Sequence, residues 1–340
     1  MFRQRRLQYV LWGLILSVVA ASPLLAQDRL YPVRYENGFG FINASGELKI
    51  EARFDSALDF SEGLAPVKIG GLWGFVNPDG EIVIDAVYER VHEFSEGLAR
   101  VSRKGKWGFV NLAGEEVIKP RFTEALDFSE GMAPVQRKKG GKLKWGYINN
   151  EGDEVVPVKY SSALSFANGL APVELKKRFG FVSAGGEWGF LNKEGDVVIE
   201  KGFGVARSFT EGTSLVHDKG GYKFINADSE LVLEAPYERV YSFAGGMARI
   251  YDAGVWGFID EQGEVVIDPN FDHAYDFSEG LALVKYGAKW GYIDAKGEFA
   301  IQPRFDKGWS FNGELARVFV DGQMGYINNI GTLIWPAEQN

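Results

Sequence analysis

Basic side chains are the residues whose types and spacing most suggest chemistry. They crowd three short segments of a chain that otherwise carries 37 Lys and Arg against 46 Asp and Glu. The segments contain Arg103, Lys104 and Lys106; then Arg137, Lys138, Lys139, Lys142 and Lys144; then Lys176, Lys177 and Arg178, with Phe179 and Phe181 beside them. A basic, aromatic-bearing ridge of this kind favours an anionic ligand such as a lipid headgroup, lipopolysaccharide or an acidic protein loop. The alternative is that these lysines populate exposed turns and protect strand edges against aggregation.

Catalytic and metal-binding chemistry has less support in the sequence. The three histidines lack metal-ligand spacing and the chain contains no Cys, so no metal or cofactor site is predicted. A carboxylate recurs in Ser61-Glu62-Gly63, Ser95-Glu96-Gly97, Ser129-Glu130-Gly131 and Ser278-Glu279-Gly280. Catalytic carboxylates come as one pair in unequal environments. We therefore predict that these glutamates cap backbone N–H groups in a bend, and we predict no catalytic residue.

A tandem repeat must position all of these side chains. Trp73 and Trp107, like Trp256 and Trp290, are 34 residues apart, and each opens a Trp-Gly pair. The pairs are Trp73-Gly74, Trp107-Gly108, Trp145-Gly146, Trp188-Gly189, Trp256-Gly257 and Trp290-Gly291. Such a period indicates one supersecondary unit copied along the chain. We place nine units in residues 30–336, beginning at 30, 64, 98, 132, 170, 213, 247, 281 and 315.

Each unit is predicted to be a three-stranded β-meander. Leu98–Val101, Trp107–Val110 and Glu115–Ile118 are the strands of the third unit. Asn or Asp opens the second hairpin in every unit, and a Gly suited to positive φ follows three residues later, except at Ser229. The linker to the next unit has apolar residues three apart, which favours a short helical turn. A fourth strand is the alternative, because Tyr237, Arg239, Tyr241 and Phe243 alternate.

Two of the three basic segments coincide with departures from the repeat length. The interval from Met132 to Leu170 is 38 residues and that from Leu170 to Thr213 is 43. Both insertions fall between the first and second predicted strands. They should therefore project side by side from one edge of the array.

Both faces of the Trp-Gly strand are apolar or bare, so neighbouring units should cover them. We expect Trp107 to be buried and Gly108 to admit a close approach from a neighbouring unit. An all-β open superhelix of stacked meanders is the preferred architecture, because the array begins and ends with whole meanders. A closed ring of propeller-like blades is the alternative.

Residues 1–26 are predicted to be a signal peptide. Arg3, Arg5 and Arg6 precede a short apolar segment and small residues, with cleavage after Ala26 or, alternatively, Ala21. The protein would then be exported, either periplasmic or extracellular. Without the three arginines of the signal peptide, the chain has 34 Lys and Arg against 46 Asp and Glu, a net charge of −12, which disfavours nucleic acid as a ligand. No later apolar run is long enough for a transmembrane helix.

The array resembles the WG-repeat proteins, also called KWG repeats. Lys106-Trp107-Gly108 and Lys289-Trp290-Gly291 carry the motif, and the resemblance extends over residues 30–336. Phe39, Met324 and Tyr222-Lys223 depart from it. The resemblance implies a β-rich interaction scaffold and supplies no catalytic residue. We accordingly expect an exported, non-catalytic scaffold for a protein or envelope ligand. The alternative is an envelope-acting enzyme, for example on glycans, with its site in a groove or ring centre.

Overall fold

The architecture is a β-propeller built from nine sheets. The computed structural model describes residues 29–175 and 187–336, and the regular elements in these ranges are all β-strands. They form nine antiparallel sheets in chain order, each of which is one blade. The predicted signal peptide lies outside the described residues, so its cleavage stays a prediction.

Strands follow chain order within every blade, from the ring centre outward. Blades 1 to 3 contain β1 (Tyr31–Tyr35), β2 (Gly38–Ile42), β3 (Leu48–Phe54); β4 (Ser56–Ala57), β5 (Ala65–Ile69), β6 (Leu72–Val76), β7 (Ile82–Tyr88); β8 (Arg90–Val91), β9 (Leu98–Arg103), β10 (Lys106–Asn111), β11 (Glu116–Phe122). Blades 4 to 6 contain β12 (Glu124–Ala125), β13 (Ala133–Lys139), β14 (Lys142–Ile148), β15 (Glu154–Tyr160); β16 (Ala171–Leu175), β17 (Glu187–Leu191), β18 (Val197–Phe203); β19 (Val205–Ala206), β20 (Ser214–Asp218), β21 (Gly221–Ile225), β22 (Leu231–Ala235). Blades 7 to 9 contain β23 (Arg239–Ala244), β24 (Met247–Asp252), β25 (Val255–Asp260), β26 (Val265–Phe271); β27 (His273–Ser278), β28 (Leu281–Tyr286), β29 (Lys289–Ile293), β30 (Phe299–Phe305); β31 (Lys307–Gly308), β32 (Leu315–Val320), β33 (Gln323–Asn328), β34 (Leu333–Trp335).

The linker between repeats forms the innermost strand of the next blade. In blade 4 this strand is β12, two residues long, and in blade 7 it is the longer β23. In blade 5 a single bridge from Ala163 to Val173 takes its place. The predicted helical turn is therefore wrong, and the alternative of a fourth strand is right. The spacing of three arises because the linker bends soon after a very short strand, which period-based prediction cannot detect.

The hairpin between the two outer strands forms as predicted. The Asn111 Oδ1 atom accepts hydrogen bonds from the backbone N–H groups of Ala113 (3.1 Å) and Glu115 (2.9 Å). Gly114 has φ 82°, and Ser229, which replaces this Gly in blade 6, is held at φ 64°. The Asn side chain thus accepts the free backbone N–H groups of the turn, and the residue three positions later adopts the left-handed conformation.

The Gly of the Trp-Gly pair makes room for its own blade. β10 pairs with β11 through Trp107↔Phe122 and Phe109↔Ile118, so the single residue between these pairs on β10 lies opposite three residues on β11. A Cβ on Gly108 would overlap the Ile118 carbonyl oxygen and lie 2.5 Å from Pro120 N. The prediction that a neighbouring unit approaches this Gly is wrong. The outermost strand of the same blade bulges over it instead.

Apolar side chains from two adjacent blades form each core cluster. Between blades 3 and 4, Phe109 packs against Phe128 with ring centres 4.8 Å apart, and Val135 and Ile148 join them. Both faces of the Trp-Gly strand are covered, as predicted. Trp107 and Trp256 are buried, whereas Trp73, Trp145, Trp188 and Trp290 are half-buried.

Blades 9 and 1 close the ring. Tyr31 and Val33 of blade 1 share a buried cluster with Tyr326 and Trp335 of blade 9. The Tyr326 hydroxyl donates to the Pro32 carbonyl (2.9 Å), and Trp335 Nε1 donates to the Tyr35 hydroxyl (3.3 Å). The preferred open superhelix is therefore wrong and the alternative, the closed ring, is right. Whole blades can close the ring through their side-chain faces, so no strand has to be shared between the termini.

The recurrent Ser-Glu-Gly segments join neighbouring blades. The Glu96 carboxylate accepts the N–H groups of Glu130 (2.6 Å) and Gly131 (2.8 Å), while Ser95 Oγ donates to the Phe128 carbonyl (2.9 Å). Equivalent caps run from Glu62 to Gly97, Glu130 to Gly169, Glu211 to Gly245 and Gly246, and Glu279 to Gly313. The predicted capping role is confirmed, but the capped N–H groups belong to the next blade.

Candidate functional site

The described part of the predicted ridge lies on one side of the ring. It is formed by the hairpins between the second and third strands of blades 3 and 4. In blade 4 this hairpin extends outward through the pairs Lys138↔Leu143 and Lys139↔Lys142. We use the name basic ridge for the exposed cations of these two hairpins: Lys104, Lys106, Lys138, Lys139 and Lys142.

The remaining predicted cations are engaged within the protein. Arg103 pairs with Glu116 (2.9 Å) and lies over the Tyr88 ring. Arg137 pairs with Glu154, and Lys144 donates to Ser161 Oγ (3.0 Å). The charges of Arg103 and Arg137 are therefore paired within their own blades, whereas Lys144 keeps its charge and is held beside a neutral hydroxyl. Lys176, Lys177, Arg178, Phe179 and Phe181 fall outside the described residues.

A second cluster of polar side chains lines the central channel, where the sequence analysis considered a site but named no residue. The Glu93 side chain is exposed, but nearby protein atoms displace part of its water and, together with the negative charges of Asp59 and Asp127, raise the pKa of its carboxyl. Partial loss of water around the neighbouring His92, reinforced by the positive charge of Arg100, lowers the pKa of its imidazole. Carboxyl groups on three consecutive blades thus lie near enough to one another to interact electrostatically.

An arginine on the second strand of a blade binds the next blade at two junctions. Arg249 pairs with both carboxylate oxygens of Asp276 and donates to the Ala274 carbonyl (2.7 Å). Its guanidinium carbon lies 3.9 Å from the centre of the Tyr241 ring. Arg100 makes the corresponding ion pair with Asp127 (2.7 Å) and also donates to the Ala125 carbonyl. In each case a guanidinium, a carboxylate and an aromatic or imidazole ring meet at the channel wall.

At the closing junction the same position holds Arg317. Its Nη2 and Nε atoms donate to the Tyr326 hydroxyl (3.1 and 3.3 Å), and its guanidinium lies 5.8 Å from the centre of the Trp309 ring. Burial raises the pKa of Tyr326, so its phenol is neutral at physiological pH. Among the described residues no carboxylate forms an ion pair with Arg317.

A cavity of about 780 Å³ opens beside Arg317. Its lining includes Tyr275, Trp309, Lys307, Asn312 and Asp59. Trp309 and Tyr275 are each 44 % exposed, although both are large apolar rings. Concave sites lined by aromatic side chains with a few polar groups are typical of small-ligand binding.

The repeat family is identified by the sequence across these blades. The WG containing repeat family matches residues 39–73, 73–107, 107–142, 145–179, 188–222, 224–254, 256–290 and 290–323. The chain belongs to the WG-repeat family. These eight consecutive matches confirm the resemblance drawn from the Trp-Gly pairs.

No curated protein matches this WG-repeat protein. Among solved structures it is similar to the uncharacterized protein lmo1340 from Listeria monocytogenes EGD-e, with a TM-score of 0.44 and 12% identity over 72% of this chain and 93% of that one. It is also similar to apo AztD from Citrobacter koseri, with a TM-score of 0.43 and 12% identity over 89% of this chain and 91% of that one. These similarities concern the arrangement of the backbone.

The channel site of this WG-repeat protein has a signal in the sequence that the search for motifs missed. The position of Arg317 in its repeat is Pro in blades 1, 2, 4 and 5, Leu in blades 6 and 8, and Arg in blades 3, 7 and 9. The aromatic position of Trp309 is likewise Leu58 in blade 2 and Tyr275 in blade 8. Comparison of equivalent positions, column by column, would have singled out both.

Metal binding and membrane crossing gain no support from the described residues. Within residues 29–175 and 187–336, no group of three or more His, Asp and Glu side chains could hold a metal ion. The same ranges contain no helix long and apolar enough to cross a membrane.

Proposed function

We propose that this WG-repeat protein is an exported, non-catalytic scaffold that binds an anionic ligand of the cell envelope on its basic ridge. One observation carries the proposal: two adjacent hairpins present five exposed lysines on one side of a net-acidic protein. The predicted signal peptide supports export. A rigid ring with side chains grafted onto its turns supports a binding role.

The tip of the blade 4 hairpin favours an amphiphilic anion such as an acidic lipid. Leu143 is 50 % exposed and faces Lys138 across the strands. Lys139 and Lys142 form the next pair, at the outer end of the hairpin. Lysines beside an exposed leucine can contact phosphate groups and the adjoining acyl region together.

Reversing the charge of the tip is expected to weaken binding to anionic vesicles roughly a hundredfold. Each lysine near an anionic surface contributes about 1 kcal/mol, and 1.4 kcal/mol is a tenfold change in affinity. The test compares residues 27–340 with the variant Lys138→Glu, Lys139→Glu, Lys142→Glu by sedimentation with phosphatidylglycerol vesicles. Because these side chains are exposed, the melting temperature should not change.

The variant Lys119→Glu, Lys219→Glu, Lys296→Glu serves as the matched control, since it makes the same charge change elsewhere on exposed positions. It should lose little affinity. Equal loss in both variants would mean that net charge alone governs binding, and no loss in either would exclude the basic ridge.

Hydrolysis of envelope glycans in the ring centre is a second candidate function. The observation that favours it is Glu93, whose raised pKa suits a general acid and whose neighbours Asp59 and Asp127 are also acidic. If the protein releases reducing sugar from envelope glycans, Glu93→Gln should slow the release roughly a hundredfold. Glu194→Gln, at an exposed outer turn, should not. Absence of release by the native protein would discard this candidate.

A further inference from the structure

The junctions between blades show which ligand group Arg317 would accept. At the junctions of blades 3 and 4 and of blades 7 and 8, the arginine binds a carboxylate from the inner part of the following blade. It also donates a hydrogen bond to a backbone carbonyl oxygen of the inner strand of that blade. A guanidinium in this position is therefore built to hold a carboxylate against the channel wall.

Blade 9 is followed in the ring by blade 1, where this partner is not present among the described residues. The sheet of blade 1 consists of β1, β2 and β3, with no inner strand in residues 29–54. Asn312 instead reaches blade 2, where its amide donates to Asp59 (3.2 Å). The cavity is lined by this bridge and by Arg317, and none of residues 29–175 or 187–336 fills the place that a carboxylate occupies at two other junctions.

The walls of the cavity add a flat apolar surface to this carboxylate-binding position. Trp309 and Tyr275 expose nearly half of their surface there, and Trp290 lies 5.6 Å from Tyr275 between ring centres. Exposed rings of this size favour a ligand with a flat, weakly polar face. The C–H face of a pyranose ring has that character.

Hydroxyl-bonding groups complete the site. Asp59 and Asn312 also line the cavity and supply both acceptor and donor atoms, and Lys307 adds a further cation. A fatty acid would leave these polar groups without partners, and a simple inorganic anion would leave the aromatic rings uncovered.

We propose that this cavity binds an oligosaccharide whose sugar carries a carboxylate, such as a uronic acid. The carboxylate pairs with Arg317, the sugar ring lies on Trp309, and sugar hydroxyls contact Asn312 and Asp59. The volume of about 780 Å³ accommodates one or two sugar rings. The site is separate from the basic ridge and does not depend on the function proposed there.

Calorimetric titration with two matched disaccharides tests the proposal. One ends in glucuronic acid and the other ends in glucose, so they differ by the carboxylate alone. Residues 27–340 should bind the acidic disaccharide at least about tenfold more tightly than the neutral one, because a charge-assisted hydrogen bond is lost in the latter. Arg317→Gln should remove that preference, and Trp309→Ala should weaken both sugars.

Two control variants distinguish loss of the cavity site from a general loss of charge and from loss of the basic ridge. Arg239→Gln removes an exposed cation from the inner strand of blade 7 and should bind like the native protein. The charge-reversed ridge variant should also retain the disaccharide. Equal binding of both sugars, unchanged preference in Arg317→Gln, or no binding of the acidic sugar would each overturn the assignment. Trp309→Ala keeps the test valid if Arg317→Gln fails to fold, because Trp309 is exposed and little of the core depends on it.

Discussion

Replacement of Trp107 by alanine is expected to lower the free energy of unfolding by about 3–5 kcal/mol, as for other buried aromatic side chains. Trp107 is 2 % exposed and belongs to the core cluster between blades 3 and 4. The guanidinium groups of Arg90 and Arg100 lie 4.7 and 5.4 Å from its ring centre. The substitution therefore removes apolar packing and two cation–π contacts together. Urea unfolding followed by circular dichroism measures the change.

Two further variants identify the origin of this effect. Trp73 is half-buried at the equivalent position, so Trp73→Ala should lower the free energy of unfolding clearly less than Trp107→Ala. Trp107 Nε1 is buried without a hydrogen-bond partner. Trp107→Phe should therefore retain a large part of the stability, since it keeps an aromatic ring and removes an unsatisfied N–H group. If the two alanine variants were equally stable, burial of Trp107 would not explain its contribution.

Replacement of Gly108 by alanine is expected to destabilise the protein by roughly 3 kcal/mol, at the upper end of the range for overpacked sites. The added Cβ would meet the backbone of Ile118 and Pro120, which cannot move aside as a flexible side chain can. The outer strand of blade 3 would have to separate from its neighbour. The thermal unfolding midpoint reports the loss.

Gly204→Ala is the matched control. A Cβ at that position would meet the His217 carbonyl oxygen at 3.5 Å, an ordinary van der Waals contact, and its backbone is not left-handed. This variant should be nearly as stable as the native protein. A mild effect of Gly108→Ala, comparable to that of Gly204→Ala, would show that the bulged strand yields easily.

The parts of the fold that depend on neighbouring residues could be predicted from the sequence. The turn at Asn111 needs a side-chain acceptor and a left-handed residue within four positions, and both are visible as residue types. The repeat likewise fixes the number of sheets. The inner strand was missed because two residues of strand, such as Glu124–Ala125, leave no measurable alternation.

The parts that depend on distant residues could not be predicted in the same way. Ring closure rests on contacts between Tyr31 or Pro32 and Tyr326, which are separated by almost the whole chain. A repeat specifies how each unit packs on the next, but small rotations per unit decide whether the ends meet. The channel cavity combines residues from several blades for the same reason. The basic ridge could be predicted because the hairpins that carry it are local, although Arg103 and Arg137, which the sequence also assigned to it, are paired with Glu116 and Glu154.

The closing contact of blades 9 and 1 also bears on self-association. Repeats that pack head to tail use one surface on each side, so an unclosed array exposes two complementary faces at its ends. Such ends can add further copies and grow into a filament. Here Val33 and Ile42 of the first blade and Leu315 of the last blade are buried against each other. The closed ring therefore buries both of these end faces within one molecule. Loss of this single junction would expose two complementary apolar faces on the same monomer.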